Sequence, residues 1–154
     1  MRVEDRLAFV IASGAGTGYS PIAPGTAGSL VAAVGLWLIP FSPLGFWAAL
    51  VVVVVVGIWA SRRVEDALER KDPGVIVIDE VAGMMVSVAL LPRTPAVLFC
   101  AFLLFRLFDI WKPFPAREAQ ALRGGFGVVV DDLIAGAYAL VLVMGARMLF
   151  GVPR

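Results

Sequence analysis

The chain has 154 residues, which suits one domain spanning residues 1–154, and its formal net charge of +1 argues against nucleic acid as a partner. It is 60% hydrophobic with a mean hydropathy of +0.92, well above the roughly 45–50% apolar content of soluble domains, and this points to an integral membrane protein. No histidine is present, which removes Ser-His-Asp hydrolysis, histidine-based phosphoryl transfer and histidine-ligated zinc; the one cysteine, Cys100, lies in an apolar run and forms no intramolecular disulfide. Carboxylates, Lys, Arg, Ser, Thr and backbone amides remain for chemistry, an inventory suited to hard, oxygen-loving ions such as Mg²⁺.

Residues 3–13 read as a short amphipathic helix with Glu4, Asp5 and Arg6 on its polar side. The apolar run at 7–12 is too short for a signal peptide, so no cleaved targeting segment is expected. Residues 14–29 are dense in glycine and proline and read as a loop, with Thr26 as the N-cap of a helix over 27–39. That helix ends at Pro40-Phe41-Ser42-Pro43 and is short for a span of about 20 residues. Residues 44–60, with six consecutive valines, are long enough to cross, and the two together read as a helical hairpin. The valine run favours a strand by composition, but an open strand edge in lipid leaves backbone groups unpaired, so a helix is expected.

Residues 61–74 are polar and read as a solvated helix or loop. The third membrane element, 75–91, carries Asp79-Glu80 within it and closes at Pro92; 92–95 is a turn and 96–110 returns. A polar stretch at 111–127 precedes the last span, 133–150. The short elements 27–39 and 75–91 could be re-entrant rather than spanning. The expected fold is all-α, a polytopic membrane helical bundle with short or re-entrant helices.

Basic residues set the orientation. The stretches 61–74 and 111–127 hold Arg62, Arg63, Arg70, Lys71, Lys112, Arg117 and Arg123, while the turns at 40–43 and 92–95 hold only Arg93. The positive-inside rule then places the two larger polar stretches in the cytoplasm. Arg147 and Arg154 fit this arrangement poorly. Asp79-Glu80, Asp109 and Asp131-Asp132, each at the edge of an apolar run, all fall near the cytoplasmic face. Ionisable groups in such places are expensive and mark function, and their convergence suggests a divalent-metal site.

Each group also has a plainer reading. Asp79-Glu80 could snorkel to water. Arg106, Asp109 and Lys112, spaced by three on one helix face, could be an interfacial ion triplet, although two cations flanking one acid also suit a phosphate. Asp132 could simply cap the last helix, leaving Asp131 to face the site. The hydroxyls of Thr26 and Ser29 at a helix start could bind an anion. Gly83, Gly136 and Gly145 would let helices pack closely, within one chain or across a homodimer.

Taken in order, Ala23-Pro24-Gly25-Thr26-Ala27-Gly28-Ser29, Ile78-Asp79-Glu80-Val81-Ala82-Gly83, Phe105-Arg106 with Phe108-Asp109-Ile110 and Lys112-Pro113, and Gly125 with Gly127-Val128, Asp131-Asp132 and Ala135-Gly136 resemble the phosphatidylglycerophosphatase A family. The resemblance covers nearly the whole chain. It implies a Mg²⁺-dependent lipid phosphatase of the bacterial inner membrane, multi-pass and with its site facing the cytoplasm. Such an enzyme converts phosphatidylglycerophosphate to phosphatidylglycerol and inorganic phosphate, with direct attack by metal-activated water as the favoured chemistry. By motif position, Asp79, Glu80, Asp109, Asp131 and Asp132 become metal ligands, the first four of them also catalytic candidates, and Thr26, Ser29, Arg106 and Lys112 become substrate-binding candidates. The expected partners are a phospholipid substrate and the bilayer. A small transporter or channel using the same acids is the competing class; a CDP-alcohol phosphotransferase is disfavoured because its Asp-x-x-Asp-Gly-x-x-Ala-Arg pattern is absent.

Overall fold

A computed structural model describes residues 2–150; Met1 and residues 151–154, including Arg154, lie outside the described part. Seven α-helices run in the order α1 (Val3–Ala12), α2 (Pro24–Leu38), α3 (Pro43–Leu68), α4 (Ile78–Ser87), α5 (Pro95–Trp111), α6 (Ala116–Ala119) and α7 (Gly125–Phe150), with a single 3₁₀ turn at Thr17–Tyr19. No strand occurs among the described residues, so the valine run is helical as expected.

At about 1.5 Å per residue, α3 and α7 are each about 39 Å long, and they are the two helices long and apolar enough to cross a bilayer whose hydrocarbon core is about 30 Å. Val51, Val52 and Val55 on α3 and Val141, Leu142 and Leu149 on α7 are exposed, as are Phe99 and Leu103 on α5. Such a belt of large side chains is costly in water and costs nothing in lipid.

α4 is only about 15 Å long by the same rise, and it is the hub. It packs most extensively on α7 and also touches α2, α3, α5 and α1. α2 and α3 follow one another through the short turn at 39–42, and α4 packs on both. Ala82 and Met84 at its centre are fully buried, and Met85 nearly so. The α4–α7 contact is close because both helices are bare where they cross: a Cβ on Gly136 would lie 2.3 Å from the Gly83 carbonyl oxygen. This is the within-chain packing expected of Gly83 and Gly136; Gly145 faces open space.

Several boundaries differ from the sequence-based expectations. α2 begins at Pro24, not at residue 27. Ala23 is its N-cap, in a left-handed conformation (φ 47°), Pro24 occupies the first turn, and Thr26 lies inside the helix. Proline suits that position because it has no N–H to leave unpaired and its φ is preset. α3 continues through the polar residues as far as Leu68. α7 begins eight residues before the expected 133, so the stretch from Gly125 to Gly127 opens a helix rather than serving as a flexible approach, and Asp132 does not cap it. The early start brings Gly125 against α3, where a Cβ would lie 2.1 Å from the Ile58 oxygen.

The two polar stretches meet at one end of the bundle. Gln120 donates a hydrogen bond to Asp72 (3.2 Å), and the Asp72 N–H donates to buried Glu65 (2.9 Å). The two short turns meet at the other end, where the Arg93 guanidinium donates to the Phe41 carbonyl (3.0 Å) and lies over the Phe46 ring (5.3 Å). Arg147 lies at that second end, beside Ala96 and Val97 at the start of α5.

Candidate metal and phosphate site

Four helices contribute to the polar end of the core. Asp79 and Glu80 occupy the first turn of α4, where the positive end of the helix dipole favours carboxylates. Arg106 and Asp109 come from the last turns of α5, and Lys112 is its C-cap, a non-glycine residue at φ 49°. Asp131 and Asp132 come from the second turn of α7. The first turn of α2 lies over Glu80 and Arg106: a Cβ on Gly25 would lie 2.2 Å from Glu80 Oε1 and 3.2 Å from Arg106 Nη1. Glycine at position 25 is thus a matter of close approach at the site.

Asp79, Glu80 and Asp132 form a compact trio. Each offers a carboxylate oxygen, and these atoms lie within 4.8 Å of one another. All three residues are buried, and Asp79 Oδ1, Glu80 Oε2 and Asp132 Oδ2 have no hydrogen-bond partner. A buried carboxylate oxygen without a donor is strongly disfavoured, and a trio of carboxylates this close, each with such an oxygen, makes a cradle for a cation. An all-oxygen carboxylate set is the chemistry of Mg²⁺ or a similar hard ion, so the residues fit the metal.

Beside the trio runs an ion-pair chain. Arg106 Nη1 donates to Asp109 Oδ2 (2.6 Å) and lies 3.8 Å from Glu80 Oε1. Lys112 Nζ lies 3.5 Å from Asp109 Oδ1 and donates a short hydrogen bond to Asp131 Oδ2. Burial opposes the Lys112 ammonium, but the bond to Asp131 and the charges of Asp131, Asp109 and Asp132 outweigh it and hold its pKa above the ordinary lysine range. The end of α5 is fixed against α7 by Phe108 packing on Tyr138 (ring centroids 5.4 Å) and by the Tyr138 hydroxyl donating to the Phe114 carbonyl. Five carboxylates face two cations in this network, and Arg106 Nε is buried with no acceptor. The site thus has free acceptors for a cation and a free donor for an anion.

The sequence-derived candidates separate into groups. Asp79, Glu80 and Asp132 converge on the cradle. Asp109 and Asp131 are engaged by Arg106 and Lys112, so it is Asp132, and not Asp131 as the capping argument suggests, that reaches the cradle. Ser29 is fully buried; its hydroxyl donates to the Gly25 carbonyl (2.8 Å) and accepts from Arg106 (3.4 Å), so it orients the guanidinium. Thr26 is half-buried and its side chain makes no hydrogen bond among the described residues. One contributor was not singled out from sequence: Gly25, whose signal was its place in a proline-glycine stretch.

Residues 10–147 match the model of the family described as phosphatidylglycerophosphatase A. A protein of Bacteroides thetaiotaomicron, provisionally named a phosphatidylinositol-3-phosphatase, is 39% identical over 161 residues, covering 98% of this chain and all of the relative. Phosphatidylglycerophosphatase A of Escherichia coli K12 is 35% identical, over 82% of this chain and 76% of the relative. The Haemophilus influenzae protein of the same name is 36% identical, over 90% and 87%. No solved structure matches.

Proposed function

The chain belongs to the phosphatidylglycerophosphatase A family, and from that premise we propose that it is a Mg²⁺-dependent phosphatase converting phosphatidylglycerophosphate to phosphatidylglycerol and inorganic phosphate. The observation that carries the metal-dependent chemistry is the buried trio of Asp79, Glu80 and Asp132, each with one carboxylate oxygen that has no hydrogen-bond partner. When bound, Mg²⁺ supplies charge neutralisation at the phosphate and lowers the pKa of a coordinated water. Arg106, held by Asp109 and Ser29, presents Nε to a phosphate oxygen; its fixed orientation is the kind of preorganisation that stabilises charge as it develops. Lys112, kept protonated by Asp131, adds positive charge on the same side. A free carboxylate oxygen of the trio is available to take the proton of the attacking water.

In this reading the protein is a multi-pass protein of the bacterial inner membrane, with the polar end of the bundle in the cytoplasm. The lipid then presents its phosphate at headgroup depth without leaving the bilayer. The transporter alternative loses its footing because family membership favours a phosphatase and the acids gather at one end of the bundle rather than at its midplane.

A second substrate, phosphatidylinositol-3-phosphate, is favoured by one observation, the name of the Bacteroides relative. Both are phosphomonoesters on a lipid headgroup, so the same cradle would serve either. Phosphate release from the two lipids, measured with Mg²⁺ and with chelator on wild type and Asp79→Asn, decides between them. Release from phosphatidylglycerophosphate that requires both Mg²⁺ and Asp79 is expected. A preference for the inositol lipid would replace the substrate, and release indifferent to Mg²⁺ or to Asp79 would sink the metal mechanism.

A further inference from the structure

We propose that the groove between α2 and α5 holds one acyl chain of the lipid substrate and so aligns its phosphate with the site; this rests on the lipid-phosphatase reading above. The groove has a volume of about 170 Å³ and an almost wholly apolar lining. Its walls are Leu30, Val34 and Trp37 on α2 and Phe99 and Phe102 on α5, and its floor includes Ala33 and Leu98, both buried. Ala33, small among the larger Leu30, Val34 and Trp37 that line the groove on α2, leaves it deep. Leu30, Val34, Trp37 and Phe99 are substantially exposed, so the groove opens outward, toward lipid in a membrane-embedded chain.

Its position identifies the occupant. Leu30 directly follows Ser29, which holds Arg106, and Phe102 lies one helical turn before Arg106 on α5. The polar site and the apolar groove are therefore continuous along the same two helices. From Leu30 to Trp37 the groove runs about 10 Å, well within the roughly 15 Å depth of one leaflet's hydrocarbon. A volume below the roughly 300–1,000 Å³ of small-molecule pockets excludes a whole phospholipid but admits a stretch of one chain. Exchange of lipid neighbours for protein neighbours brings an acyl chain little hydrophobic gain, so the groove acts chiefly by orientation. Misplacement of a reacting group by about 1 Å can cost about a hundredfold in rate.

The test compares phosphate release from a dioleoyl lipid phosphomonoester in mixed micelles with release from its water-soluble dibutyryl counterpart. Val34→Trp fills the groove from its wall and Ala33→Leu from its floor; the wall variant remains informative if the floor variant fails to fold. Val52→Trp, on an exposed face of α3 away from the groove, is the control. Val34→Trp is expected to lower dioleoyl turnover about tenfold or more and to leave dibutyryl turnover and the Mg²⁺ response unchanged, with Val52→Trp affecting neither substrate. Equal losses on both substrates, no loss on either, or an altered oligomeric state without a change in chain selectivity would overturn the groove assignment alone. Absence of release by wild type from both substrates would instead overturn the phosphatase reading and the groove with it.

Discussion

At the scale of single residues, the neighbouring acids of α7 serve different ends. Asp132 reaches the free-oxygen trio with Asp79 and Glu80, whereas Asp131 is spent on Lys112. Asp132→Asn should therefore cost at least about a hundredfold in Mg²⁺-dependent turnover, more than the roughly 10–100-fold typical of groups that only support a ligand. It should also weaken Mg²⁺ binding in a titration; unchanged Mg²⁺ affinity would remove Asp132 from the ligand set. Lys112→Met should instead act on stability. It leaves Asp131 buried without its partner, a loss of about 3 kcal/mol or more, and Asp131→Asn added to it should restore most of that in thermal unfolding. A double variant as unstable as the single one would show that the pair is not coupled. The pH dependence has a definite sign. A lysine whose folded pKa is raised contributes fully below its ordinary range, and the contribution is lost only as pH rises through the raised value. Raising the pH to about 10 should therefore not reproduce the Lys112→Met loss. The acids themselves were legible in the sequence because carboxylates beside apolar runs stand out. Their division of labour was not, since it depends on which helix turn each occupies.

At the scale of elements, the misread starts of α2 and α7 share one cause. Glycine was taken as a breaker at 24–28 and at 124–127, yet 24–28 and 125–127 are helical, and glycine permits close contact there. Gly25 lies under Glu80 and Gly125 lies against Ile58, and in each case a side chain would occupy a neighbour's place. Sequence alone gives the same letter for a turn and for a close approach, and only the partner helix tells them apart. The long apolar helices and the closing prolines carried no such ambiguity, so the start of α3, the whole of α5 and the end of α2 fall close to where they were expected. The α4–α7 crossing offers the direct check. Gly136→Ala places a Cβ 2.3 Å from a backbone oxygen that cannot swing aside, and should destabilise by about 1–3 kcal/mol. Because α4 carries Asp79 and Glu80 and α7 carries Asp132, the same variant should also weaken Mg²⁺ binding. Gly145→Ala meets nothing within 4 Å and should be neutral, or more stable by up to about 1 kcal/mol from helix propensity. Equal unfolding temperatures for the two variants would refute the crossing.

At the scale of the whole molecule, a short, largely buried helix bearing acids is placed inside a shell of apolar helices, two of them long and apolar enough to cross a bilayer. α4 starts at the polar end, and residues 88–94 carry the chain on to the far turns, where Arg93 ties the start of α5 to the turn before α3. The two ends differ in charge. The site end gathers Arg62, Arg63, Arg70, Lys71, Lys112, Arg117 and Arg123, while the far end has Arg93 and Arg147. Arg63 is also tied to α1 through Asp5 (2.9 Å), which holds the Asp5 carboxyl below its ordinary range, so α1 is fixed to the same end. This asymmetry predicts cytoplasmic exposure of the site end by the positive-inside rule. The exposed Cys100 can be replaced by Ser to give a cysteine-free background, and single cysteines can then be placed at Leu90 and Glu118, exposed positions at the far and site ends. A membrane-impermeant maleimide added to intact spheroplasts should label Leu90→Cys and spare Glu118→Cys until the membrane is opened. Inside-out vesicles should reverse the pattern. Labelling of Glu118→Cys from outside would invert the molecule, and with it the requirement that substrate be presented from the cytoplasmic leaflet. Equal labelling of both positions in sealed membranes would mean that α3 and α7 do not cross at all.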